Sequence, residues 1–178
     1  GNPTAAYLWR NVIPHVTGIA RCVAPDLVGQ GHSGKSPGNR YEFLDQYGYL
    51  CEFIDRLQLP EKIHLVIHDW GSALGFHWAN EHRPRVASIT FMECLLHPQS
   101  YADWPEHARE SFKSLRSPGI GEKMILEENA FVEVMLPGGI LRELSPEEME
   151  EYRRPFLTPG ESRRPTLSWP RAIPFLED

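Results

Sequence analysis

The sequence predicts an α/β fold in which strands and helices alternate, followed by an all-helical stretch. Three observations carry that prediction. Short apolar runs of strand length stand at 19–24 (IARCVA), 64–67 (HLVI) and 86–92 (VASITFM). Helical patterns lie between them, and strands alternating with helices at this pitch form right-handed βαβ units on a parallel sheet. Near Pro98 the texture changes: charge and Pro/Gly density rise, and β-branched runs disappear. Residues 1–97 therefore read as part of a mostly parallel α/β domain, and 98–178 as an all-helical subdomain.

Gly1-Asn2-Pro3-Thr4 reads as a tight loop. The run 19–24 ends at Pro25-Asp26, a strand followed by a turn. Gly29, Gly31 and Gly34 then mark a tightly turned loop. From 41 to 57, apolar residues at 43, 44, 47, 50, 53, 54 and 57 recur at spacings of three and four, an amphipathic helix. The strand HLVI runs into His68-Asp69-Trp70-Gly71, and a helix is predicted from about Ser72 to Glu81. Beyond Trp104 the pattern gives helices at about 105–116, 121–135 and 145–153. The last opens on Ser145-Pro146-Glu147-Glu148, a capping box with proline at the first helical position. The closing WPRAIPFLED shows no helix and no capping signal, and both ends read as interior stretches of a longer chain.

Composition bounds the function. With 178 residues, 41% hydrophobic and 24% charged, the chain suits a globular domain rather than a disordered one. A net charge of −6 offers no basic footprint for nucleic acid. No apolar run approaches the roughly 18 residues of a membrane span, and no secretory signal opens the chain. Cys22, Cys51 and Cys94 are odd in number and lack metal-ligand spacing, so they read as reduced thiols of a cytoplasmic protein. No metal site is expected.

Asp69 sits between a strand and a helix, at the sheet edge where open α/β folds bind ligands. It reads either as a helix N-cap or as the nucleophile of a strand–nucleophile–x–Gly–helix elbow, which forces a side chain into the cleft. Gly71 is expected to let the helix approach, although Ile67 stands where such elbows usually carry glycine. Glu93 follows the next strand at the same edge, either as an ordinary charged exit residue or as the acid that orients a histidine base. Asn2 offers a side-chain amide, and Trp70 an indole N–H beside the carboxylate.

The segments GNPTAAYLWRN, PDLVGQGHSGKS, VIHDWGSALGFHWA, ENAFVEVMLPGG and RRPTLSWPR, in this order over nearly the whole chain, resemble the haloalkane dehalogenases of the α/β-hydrolase superfamily. They are also similar to Renilla-type luciferase. The first resemblance implies that Asp69 displaces halide from an apolar haloalkane, forming an alkyl-enzyme ester. Trp70 and the Asn2 side chain would hold the halide ion, and the backbone N–H groups of Asn2 and Trp70 would form an oxyanion hole. A histidine oriented by Glu93 would activate water. Trp104, Phe112, Phe131, Val134 and Leu167 would line the pocket, each with a plain alternative as cap core. No cofactor is implied. None of the eight histidines falls where the family carries its base, and His68 should point away from Asp69 because side chains alternate along a strand. Turnover by these residues alone is therefore not expected. The other readings are a coelenterazine luciferase, against which Asn2-Pro3-Thr4 argues, an epoxide hydrolase using Tyr101 and Tyr152, and a non-catalytic fragment or binding protein on the same fold.

Overall fold

The computed structural model describes residues 1–177. Two strands, β1 (Ile63–Asp69) and β2 (Val86–Cys94), form a parallel sheet. Helix α1 (Phe43–Arg56) precedes β1, and α2 (Trp70–Glu81) forms the crossover between the strands. These are the βαβ alternation and the helix that periodicity predicted. The stretch 19–24 is the exception. It is irregular and pairs with neither strand, and Ile19 is almost fully exposed. An apolar run becomes a strand only where a neighbour accepts its ladder hydrogen bonds, and no such neighbour lies beside it among the described residues.

Register places Ile67 opposite Phe91, His68 opposite Met92 and Asp69 opposite Cys94. A bulge between His68 and Asp69 leaves Glu93 with no cross-strand partner. Helix α2 packs close on β1 at Gly75, where an added Cβ would lie 2.6 Å from Ile67 Cγ2. Gly71, expected to serve that purpose, has open space around it. The close approach therefore comes one helical turn later than expected.

Beyond β2 the chain is helical: α3 (Glu106–Arg116), single turns α4 (Ile120–Glu122) and α5 (Leu136–Gly138), α6 (Pro146–Arg153) and α7 (Arg164–Ala172). The helix expected over 121–135 is split. Two π-helical segments, Lys123–Glu127 and Phe131–Met135, flank Asn129, whose φ of +55° stops the first of them. The capping box at α6 forms as predicted: Ser145 Oγ accepts from the Glu148 N–H, and Glu148 accepts from the Ser145 N–H.

Helix α7 corrects the expectation of a helix-free end. Pro165 sits in its first turn, where a missing N–H costs nothing, and Pro170 lies inside it. Arg116 secures its far end, with Nη1 donating to the carbonyls of Pro170, Arg171 and Ile173 at 2.9–3.0 Å. The core centres on Trp70, Leu74, Trp169, Ile173 and Phe175, so α2 and α7 share it. A second cluster of Leu115, Ile125, Leu126, Phe131 and Leu167 lies within the helical stretch.

Candidate active site

The site is built on the bend between β1 and α2. Asp69 takes φ +51° and ψ −130°, a conformation that costs a non-glycine residue about 1–3 kcal/mol. Asp69 stands at the N-cap position of α2, but its side chain makes no capping hydrogen bond. Instead Oδ1 accepts the backbone N–H of Asn2 at 2.6 Å. Ser72, fully buried, clamps the bend: its hydroxyl donates to the Asp69 carbonyl and accepts the Leu95 N–H at 2.9 Å. One side chain thus locks the exits of both strands together.

Gly1 and Asn2 lie against Asp69, and a methyl group at Gly1 would collide with its carboxylate. The loop is braced by Asp26, which accepts the N–H groups of Ala6 (2.6 Å) and His32 (2.8 Å). Gly31, at φ +52°, passes so close to Asp26 that a side chain would strike the carboxylate. Asn2's side chain is itself held. Nδ2 donates to the Thr166 carbonyl at 3.2 Å, and Oδ1 accepts from Gln30 Nε2 at 3.4 Å.

Trp70 is buried and stacks on Trp169, with ring centroids 4.5 Å apart and planes 29° apart. Trp104 and Phe112 pack against the same cluster, and their rings meet edge-to-face at 4.6 Å. Phe112 in turn meets Phe131 at 6.4 Å, and Leu167 is fully buried beside Phe131 in the second cluster. These four of the expected lining residues therefore form one connected apolar wall. Val134 stands apart, two-thirds exposed. The two cavities described lie elsewhere, one between the Asp26 loop and α6, the other beside Leu141.

Glu93 is exposed at φ +47°, at the exit adjoining that of Asp69. Among the described residues no histidine hydrogen-bonds Asp69 or Glu93. Burial pulls the His68 imidazole below its ordinary pKa, and its Nδ1 is buried without a partner. Residues that sequence reasoning missed are Trp169, Gln30 and the Thr166 carbonyl. All three lie in the segments RRPTLSWPR and PDLVGQGHSGKS, but neither segment shows what its residues touch, and a backbone carbonyl leaves no mark in a sequence.

The chain matches a family model described as alpha/beta hydrolase fold over residues 1–117. It is 52% identical over 178 residues to a haloalkane dehalogenase of Mycolicibacterium smegmatis, covering 98% of this chain and 57% of that protein. It is 47% identical to the coelenterazine h 2-monooxygenase of Renilla reniformis, covering 99% of this chain and 57% of that one. The crystal structure of haloalkane dehalogenase DbeA from Bradyrhizobium elkani superposes with a TM-score of 0.95 at 48% identity, over all of this chain and 61% of that one. The chain thus spans about three fifths of the length of the relatives it matches.

Proposed function

Since the chain belongs to the alpha/beta hydrolase fold family, we propose that it carries the nucleophile and halide-binding part of a haloalkane dehalogenase. One observation carries this reading: Asp69 is held in a strained elbow with the backbone N–H of Asn2 on Oδ1, Trp70 opens the helix that follows it, and the Asn2 side-chain amide is held by the Thr166 carbonyl. A carboxylate needs no deprotonation near neutral pH to act as a nucleophile. An Asp69 oxygen attacks the carbon of a carbon–halogen bond, the C–O bond forms, and the halide leaves with the bonding pair. The indole N–H of Trp70 and one amide N–H of Asn2 receive the growing negative charge. Neutral donors placed beforehand in a dry site stabilise such charge without a cation, each worth about 10²–10³ in rate.

Water then adds to the ester carbonyl. The backbone N–H of Asn2, already on Oδ1, holds the oxyanion, with the backbone N–H of Trp70 as its companion. Alcohol leaves, Asp69 is restored, and one proton and one halide are released per alcohol. Glu93 is the carboxylate suited to orient a histidine that activates this water; among the described residues no histidine hydrogen-bonds it. Residues from 98 onward act as the cap, whose apolar wall of Trp104, Phe112, Phe131 and Leu167 suits a small halogenated substrate; Val134 lies on its outer side. The reading needs no metal or organic cofactor and places the protein in the cytoplasm. No helix is long and apolar enough to cross a membrane among the described residues.

Intact mass before and after incubation with 1-bromobutane tests this reading. The 178-residue chain is expected to gain one butyl group, lost in Asp69→Asn, and to release no more than one bromide per chain. Repeated bromide release would show that these residues hold their own base. A folded sample giving neither adduct nor bromide would overturn the dehalogenase reading, and light from coelenterazine would then decide for the luciferase.

A further inference from the structure

Helix α7 contains a proline where a helix ordinarily tolerates none, and that proline lies four residues after Thr166. In an α-helix the N–H of residue 170 would bond the carbonyl of residue 166. Pro170 has no N–H, and its ring crowds that same carbonyl. Thr166 is fully buried, so its carbonyl cannot turn to water instead. The group that takes the orphaned acceptor is Asn2 Nδ2, at 3.2 Å and 164 residues away in sequence.

The arrangement dictates which way round the Asn2 amide sits. A backbone carbonyl only accepts, so the Asn2 nitrogen must face Thr166. On the other side Gln30 Nε2, on a residue 1% exposed, donates to Asn2 Oδ1 at 3.4 Å. A flipped amide would set oxygen against oxygen at Thr166 and donor against donor at Gln30. An amide nitrogen carries two hydrogens, and one is spent on Thr166. The second has no acceptor among the described residues.

We infer that Pro170 and Gln30 are positioning residues for the anion site: the carbonyl freed by Pro170 and the donor from Gln30 lock the Asn2 amide so that its second N–H is left for the departing halide. The inference rests on the dehalogenase reading for the identity of the anion, but not for the orientation of the amide. Without the lock, Asn2 would sample the flipped state, in which its oxygen repels the halide.

The test uses the intact protein. In Pro170→Ala the new N–H competes for the Thr166 carbonyl. Bromide affinity, read by tryptophan quenching, is expected to fall about tenfold, the loss of one hydrogen bond to a charge. Thermal stability should hold or rise, because a helix interior gains a hydrogen bond; a merely structural proline would lower both. Gln30→Met, which keeps the length and removes the donor without adding a charge, is expected to weaken bromide in the same direction. The two Asn2 side-chain NH₂ signals, assigned with Asn2→Asp, should each keep the shift of one fixed environment in the parent and move toward free-amide shifts in both variants. Trp70→Phe separates the two ideas. If it leaves bromide binding untouched, the halide reading fails while the NMR signals still report the amide lock. If it weakens binding, yet Pro170→Ala and Gln30→Met change neither affinity nor the NH₂ signals, the positioning role is overturned.

Discussion

Asp69 holds its reactive carboxylate on a backbone that an L-residue avoids, and the cost should be measurable apart from the chemistry. Asp69→Gly and Asp69→Ala both remove the carboxylate, but only glycine adopts φ +51° freely. The glycine variant is expected to be more stable than the alanine variant by about 1 kcal/mol in urea denaturation. Equal stabilities would mean that the bend stores no strain. At this scale the sequence was readable where residue type and backbone demand coincide: Asp69 at the end of a strand, Glu93 at the next exit, Asn2 before proline. It was silent on the Thr166 carbonyl and on Gln30, because those contacts join distant parts of the chain through groups that many residues could supply. Ser72 is similar. A serine in the first turn of a helix is commonplace, and only the register of β2 reveals that it also receives the Leu95 N–H.

Among the elements, the helical stretch is pinned by carboxylates gripped between arginines. Arg142 and the Ser145 N–H hold Glu148, with Arg10 joining from the N-terminal segment, and its pKa falls well below the usual carboxylate range. Arg171 does the same for Glu122, whose pKa drops from the ordinary 4.5 to about 2. Because these folded-state values lie below the unfolded ones, the groups contribute stability above about pH 4.5. That contribution drains away as the pH falls toward 2. Glu122→Gln and Glu148→Gln should therefore flatten the loss of melting temperature between pH 4.5 and 2, at the cost of a lower melting temperature at neutral pH. An unchanged acid limb in both variants would show that other groups govern it. Helices α1, α2 and α6 were legible from periodicity and capping alone. Helix α7 was hidden by its two prolines, and the stretch 19–24 was misjudged because apolar content does not supply a ladder partner.

At the scale of the molecule, the sheet has two strands among the described residues, and large apolar side chains on them lie open: Val66, Phe91 and Met92 are each at least 40% exposed. Unpaired strand edges beside exposed apolar groups template association. The isolated chain is expected to self-associate and to bind a hydrophobic dye, and Phe91→Lys should reduce both; a monomer by light scattering at every concentration would contradict this. The alternation of strands and helices was visible in the sequence because it is written in local periodicity. The way the helical stretch closes on the sheet was not, since it depends on rings that meet only in three dimensions. Foremost among these are Trp70, which opens α2, and Trp169 on α7, stacked at 4.5 Å. Two indoles at that separation share their electronic excitations, so their transitions should split into a paired positive and negative band in circular dichroism. The sheet-bound helix and the helical stretch thus carry an intrinsic optical gauge of their own docking. Its signal vanishes when α7 lifts from α2, even if every helix stays wound.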